Sequence, residues 1–175
     1  MLKRFARDVA GVAAIEFAFI APVLITMYFG VAELTQAMIA QRRVSHAAST
    51  IGDLVSQGQT IAVGDFADVW IVGQTIVSPF PTAPLNMRIS SITANAQLVS
   101  KVDWSEGHGM SPLAKASTVT VPASVISVAG DSVIKAEVSY VYTSPVNYIL
   151  HSPVTFTDTF YFRPRLSNQV VCATC

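Results

Sequence analysis

The polar and apolar positions of this 175-residue chain change character along its length. Residues 12–32 (VAAIEFAFIAPVLITMYFGVA) form one apolar run that contains a single charged residue, Glu16. A helix of that length rises about 30 Å, which is the thickness of the hydrocarbon core of a bilayer. The run therefore predicts a membrane-spanning helix.

The helical pattern continues in a more polar form after this run. The residues spaced by three or four positions from Leu34 to Val55 are apolar or small, with Gln41 as the single polar interruption, which places them on one helix face. The stretch contains no proline, and Gly58 is a suitable residue to end a helix. We therefore expect one helix over about residues 12–57, in which residues 33–57 are an amphipathic extension.

The rest of the chain, residues 58–175, predicts one short helix and several strands. The helix is expected near residues 64–77, before a proline-rich loop. Residues 105–117 are expected to form a loop, and residues 118–122 (TVTVP) a short strand. Four further segments alternate apolar and polar residues as strands do: 87–93, 97–104, 132–142 and 154–162. A long N-terminal membrane helix followed by a small antiparallel sheet belongs to the α+β class.

Composition and charge favour a membrane protein and argue against a nucleic-acid partner. Charged residues make up 13% of the chain, against about 25% in an average globular domain. The formal net charge of +0 is not the basic balance of a nucleic-acid-binding domain. Lys3, Arg4 and Arg7 precede the apolar run, and such basic flanks stay in the cytoplasm. We expect the N-terminus inside and the C-terminal domain outside.

The start of the apolar run resembles a known family. A basic leader ends in Gly11, and the apolar run that follows has Glu16 at its fifth position and Phe17 at its sixth, as in type IV prepilins. The wider stretch "GVAAIEFAFIAPVL", which includes Pro22, resembles the TadE/TadG-like pseudopilins of Tad-type (tight adherence, Flp-type) pilus and secretion systems. The later segments "EVSYVYTSP" and "FRPRLSNQVVC" resemble that family too.

The resemblance implies a minor pseudopilin that helps to assemble adhesive pili and is cut by a prepilin peptidase between Gly11 and Val12. It implies a cytoplasmic leader at 1–11, a transmembrane helix at 12–32 and a pilin-like periplasmic domain at 58–175, in a bacterial inner membrane or incorporated in the pilus. The implied partners are the peptidase, other Tad pilus subunits and inner-membrane assembly proteins. Neither enzymatic activity nor a cofactor or metal is expected.

Cleavage would also explain the charge of Glu16. An unpaired acid in a bilayer costs at least about 2.5 kcal/mol on insertion scales. Cleavage creates an α-ammonium on Val12, one helical turn away, which can pair with Glu16 of the same or a neighbouring subunit. Phe17 belongs to the peptidase motif, and Pro22 removes one backbone hydrogen bond and lets the helix bend. We expect Glu16, Phe17 and Pro22 to serve assembly.

Two other interpretations of the helix remain open. Glu16 lies near the start of the run and could reach the cytoplasmic interface in an uncleaved anchor. Gly30-Val31-Ala32 could be the cleavage site of a secretory signal, although the run is longer than the roughly 7–15 apolar residues of such signals. Either alternative would make the chain a binding protein or enzyme of the cell envelope, unrelated to pili.

Two other segments contain residue types that can form a disulfide or bind a metal ion. Cys172 and Cys175 are too few to complete a tetrahedral zinc site, and we expect a small structural disulfide between them if the domain is exported. The stretch "DWSEGHG" (103–109) lacks the second serine of the Asp-x-Ser-x-Ser metal-ion adhesion motif. We expect it to be a solvated hairpin end.

Overall fold

A computed structural model describes residues 10–175, so that Lys3, Arg4 and Arg7 of the expected leader lie outside the described residues. The described residues form two compact units, 10–38 with 143–153, and 39–142 with 154–175. The helices and strands are α1 (Ala10–Ser56), β1 (Thr60–Ile61), α2 (Phe66–Val77), β2 (Leu85–Ala94), β3 (Ser100–His108), β4 (Ser132–Tyr142), β5 (Val154–Phe162) and β6 (Val171–Cys172).

The long helix α1 confirms the helix expected over residues 12–57. It continues through Pro22 and ends at Ser56. The N–H of Gly58 bonds to the carbonyl of Val55 at 3.2 Å, in a tighter turn than the helix itself. The short helix expected near residues 64–77 is also present, as a 3₁₀ turn at Val63–Asp65 followed by α2.

Four strands of the second unit form one antiparallel sheet in the order β3-β2-β4-β5. The strands expected at 132–142 and 154–162 are β4 and β5, with the same bounds. In β4 the apolar residues Ile134, Ala136 and Val138 are fully buried, because alternate residues share one face of the sheet. The α+β class is confirmed. A separate parallel pair joins β1 to β6.

Two glycines let helices approach this sheet closely within the second unit. A Cβ atom at Gly52 of α1 would lie 2.6 Å from the ring of Phe162 and 2.8 Å from the Cβ of Ala136. A Cβ atom at Gly73 of α2 would lie 2.5 Å from the Sδ of Met87. Both helices therefore rest on the sheet at positions where a side chain would not fit.

Two expectations about the chain after the hairpin are wrong. The loop expected at 105–117 begins later, because β3 continues to His108, so that "DWSEGHG" is largely strand and not a solvated hairpin end. Polar partners extend the strand: the Ser105 hydroxyl bonds to that of Ser90 at 2.8 Å. The strand expected at 118–122 is a single bridge between Thr118 and Lys101, and Pro122 has no N–H to donate to a strand pairing.

Candidate functional site

The first unit exposes an apolar surface on every side of α1. Between residues 12 and 31, its exposed large apolar residues are Val12, Ile15, Phe17, Phe19, Ile20, Val23, Leu24, Ile25, Met27, Tyr28, Phe29 and Val31. A helix that is apolar all round belongs in a protein core or in a membrane. Among the described residues, α1 is the one helix long and apolar enough to cross a membrane.

The residues expected to serve processing and assembly all lie on this exposed part of α1. The side chains of Val12 and Phe17 are 54% and 67% exposed, and Glu16 and Pro22 are exposed as well. Within residues 10–175, Glu16 has neither a hydrogen bond nor an ion pair. A Cβ atom at Gly11 would meet nothing described within 4 Å. No contact within the described residues therefore explains Gly11 or Glu16.

Glu33, at the end of the apolar run, is a buried residue that the sequence pattern missed. Only 1% of Glu33 is exposed, whereas Leu34, which was expected on the packed face, is 48% exposed. The Glu33 carboxylate accepts three successive backbone N–H groups from the β4–β5 connection. These come from Tyr148 at 3.3 Å, Ile149 at 2.6 Å and Leu150 at 3.1 Å.

Ser144 completes this arrangement from the same connection. Its buried hydroxyl oxygen accepts the N–H groups of Val146 and Asn147, each at 3.3 Å, and the hydroxyl also hydrogen bonds to Glu33. The N–H of His151 donates to the carbonyl of Ile149 at 3.1 Å. Every backbone N–H from Val146 to His151 thus has an acceptor within the first unit.

Side chains add to the contact between this connection and α1. A Cβ atom at Gly30 would overlap the Cδ1 of Ile149, so glycine makes room for the isoleucine. The rings of Phe29 and Tyr148 lie 6.1 Å apart between centroids. The hydroxyls of Thr26 and Tyr148 are 3.2 Å apart. We call residues 144–151 the Glu33 loop.

A sequence signal for the buried position of Glu33 does exist. Gly30, Glu33, Ala37 and Ala40 are all buried and follow helical spacing. Small residues mark a helix face that another segment approaches closely, and Glu33 falls on that face. The apolar pattern favoured Leu34 instead, and nothing local to residue 33 indicates a partner more than a hundred residues later.

Asp103 and His108, the acid and the histidine of "DWSEGHG" considered for chemistry, have structural partners in the second unit. Asp103 accepts the hydroxyl of Thr93 at 2.6 Å, and His108 hydrogen bonds to Gln74 at 3.1 Å and stacks on Trp70. In the part of the chain that the structure describes, no three His, Cys, Asp or Glu residues are arranged to hold a metal ion. A disulfide joins Cys172 to Cys175.

An ion cluster lies across β2 and β4. The Glu137 carboxylate bonds to Arg88 and to Lys135, each at 2.8 Å, and Arg88 also donates to the carbonyl of Ser111. Burial, the largest single influence, raises the pKa of Glu137, but the hydrogen bonds and charges of the two cations outweigh it. The net result is a pKa of Glu137 below its ordinary value.

Comparison with known proteins finds a family match over most of the N-terminal helix. No curated protein and no solved structure matches the chain. Residues 11–52 match the family described as TadE-like protein. The match begins at Gly11 and includes the exposed apolar surface, Glu16 and the buried Glu33. The resemblance to TadE-like proteins is therefore confirmed over residues 11–52.

Proposed function

We propose that this chain is a minor pseudopilin, anchored by α1 in the bacterial inner membrane, that takes part in assembling a Tad-type pilus. The observation that carries the proposal is the apolar surface of α1 from Val12 to Val31, in a TadE-like segment, with an acid at position 16. A lipid environment, or the packed core of a filament, would shield such an apolar surface from water.

The proposed orientation places the N-terminus in the cytoplasm and residues 58–175 in the periplasm. The basic residues of the leader favour the cytoplasm. The disulfide between Cys172 and Cys175 agrees with an oxidising compartment for the C-terminal domain. Helix α1 would cross the membrane over residues 12–32 and continue outside it.

Cleavage after Gly11 would explain why a glycine stands at this position, which the contacts of the described residues do not explain. Glycine in a helix is destabilising by about 1 kcal/mol relative to alanine. At Gly11 neither a close neighbour among residues 10–175 nor a positive φ accounts for the glycine. Recognition by a prepilin peptidase supplies a reason, and cleavage would leave Val12 as the new N-terminus.

Assembly would then use the pair formed by the α-ammonium of Val12 and the carboxylate of Glu16. Glu16 is exposed on an apolar helix, where an unpaired charge is costly. Pairing within a subunit neutralises this charge, and pairing between subunits also fixes their axial register. On this proposal the partners are the peptidase, other pilus subunits and inner-membrane assembly proteins. The protein then has a structural and not an enzymatic role.

The mass of the intact protein isolated from membranes tests this proposal. Cells with and without the prepilin peptidase are compared, together with a Gly11→Val variant and a Gly64→Val control. A start at Val12 that requires both the peptidase and Gly11 is expected, and Gly64→Val should be cut normally. A start at Met1 in peptidase-positive cells would indicate an uncleaved anchor, and a start at Glu33 a secretory signal. Either would contradict the proposal.

A further inference from the structure

We infer that the Glu33 loop lies in the membrane interface beside α1, with Val146, Tyr148 and Ile149 in contact with lipid. This inference rests on the membrane anchoring proposed above and goes beyond it. It assigns a second, non-helical membrane contact to the segment that connects β4 to β5.

The position of the loop along α1 is the first argument. Its contacts fall on Thr26, Phe29, Gly30 and Glu33, at the end of the apolar run. Residues 26–33 of a helix rise about 10 Å and include the last two turns of the segment proposed to cross the membrane, residues 12–32. A segment held against this stretch lies where the hydrocarbon core meets the interface whenever α1 spans the membrane over residues 12–32.

The backbone of the loop is the second argument. Irregular backbone enters an apolar medium only where its polar groups are satisfied by the protein. All six N–H groups from Val146 to His151 have acceptors, and most of these are on Glu33 and Ser144. Pro145 has no N–H to satisfy. A loop in water needs no such arrangement, since water accepts these bonds.

The exposed side chains of the loop are the third argument. Val146, Tyr148 and Ile149 are 48%, 45% and 46% exposed, although all three are large and mostly apolar. Tyr148 adjoins Phe29, which itself packs on Tyr28, so that three aromatic rings meet at this level. Aromatic residues are enriched at the interfaces of membrane proteins. The loop thus presents these three apolar groups outward, next to the exposed Asn147 and His151, while the charge of Glu33 is kept inside.

Spin-label accessibility in lipid vesicles tests the inference on the full-length protein. The two cysteines form a disulfide, so a single introduced cysteine can be labelled without reduction. Three sites are compared: Val146→Cys in the loop, Met27→Cys on the apolar helix and Val128→Cys in the second unit. The native side chains at all three are large, apolar and exposed. The collision rates of each spin label with oxygen and with a water-soluble nickel complex report the depth of that label in the bilayer.

We expect the oxygen-to-nickel ratio at residue 146 to approach that at residue 27 and to exceed that at residue 128 several-fold. A ratio at residue 146 equal to that at residue 128 would overturn the inference while leaving the anchor intact. Shielding of residue 146 from both reagents would also overturn it, because it would indicate a protein contact such as a second copy. A watery environment at residue 27 would overturn the proposed anchoring itself and the inference with it.

Discussion

The carboxylate of Glu33 accepts the backbone N–H of Ile149 at 2.6 Å, across 116 residues of sequence. A side chain in the middle of α1 thereby organises the backbone of a segment between two strands. The buried acid is stabilised by hydrogen bonds from N–H groups and from Ser144, and not by a described cation. The Glu33 loop therefore depends on one residue of a helix that also carries the TadE-like match.

Glu33→Ala should release the Glu33 loop from α1. Three N–H groups lose their acceptor, and each unsatisfied group costs about 1–3 kcal/mol when it stays buried. We expect faster amide hydrogen exchange at Tyr148, Ile149 and Leu150, with little change in the strands. Glu33→Gln keeps one acceptor oxygen and should give an intermediate rate. Glu16→Gln is the control, and its exchange at these amides should equal that of the unaltered protein. Equal protection in Glu33→Ala would show that the loop is held by its side chains alone.

Gly52→Ala should destabilise the second unit, although alanine is the better helix former. The new Cβ would lie 2.6 Å from the Phe162 ring and 2.8 Å from the Cβ of Ala136, which moves only with the strand. Overpacking of this kind costs about 1–3 kcal/mol and exceeds the gain of about 1 kcal/mol in helix propensity. Thermal unfolding in detergent should show a lower midpoint. Gly64→Ala, where a Cβ meets nothing described within 4 Å, is the control. An unchanged or raised midpoint in Gly52→Ala would contradict the close helix–sheet contact.

The elements of this fold that were predictable are those with a strong local period. The alternation in β4 and β5 gave both strands their correct bounds, and the apolar run gave α1. The end of β3 was not predictable, because Ser105 and His108 read as loop residues. They stay in the strand because Ser90 and Gln74 supply their hydrogen bonds. Such partners are known only once the fold is known.

The residues of the candidate site also fall into some that could be predicted from the sequence and one that could not. Gly11, Glu16 and Pro22 could be picked out because a charge, a proline or a glycine is conspicuous in an apolar helix. Glu33 could not, because an acid just past the end of an apolar run is ordinary, and its N–H partners carry no residue-type signal. Backbone groups of any sequence can bind a carboxylate. Only the small residues Gly30 and Ala37 on its face hint that another segment approaches.

Stability of the second unit should fall in acid through Glu137. Its pKa is lower in the folded protein than the ordinary value of 4.5, because Arg88 and Lys135 favour its charged form. The ion cluster therefore stabilises the fold above that ordinary value, and this contribution is lost as the pH falls through the folded-state pKa. The unfolding midpoint of the unaltered protein should decrease more steeply below about pH 4.5 than that of Glu137→Gln.

The matched control for this pH series is Glu106→Gln. Glu106 lies on β3, and its carboxylate makes no ion pair among the described residues. The loss of folding stability at low pH should persist in Glu106→Gln. At neutral pH, Glu137→Gln should be less stable than the unaltered protein by about 1–3 kcal/mol, because charged hydrogen bonds become neutral ones. Parallel pH profiles for the unaltered protein and Glu137→Gln would exclude Glu137 as the source of acid sensitivity.

Glu16→Gln should impair pilus assembly without impairing insertion or cleavage. Glutamine keeps the size of the side chain but removes the charge, so the α-ammonium of a cleaved Val12 loses its partner inside an apolar environment. Pili sheared from the cell surface should decrease at least about tenfold, which corresponds to the loss of about 1.4 kcal/mol per subunit contact. The membrane fraction should contain as much cleaved protein as before. Asp68→Asn, at an exposed acid of α2, is the control and should leave pili unchanged. Normal pili in Glu16→Gln would show that Glu16 is an incidental acid on a membrane anchor. Loss of cleavage in this variant would show that Glu16 acts in recognition by the peptidase and not in assembly.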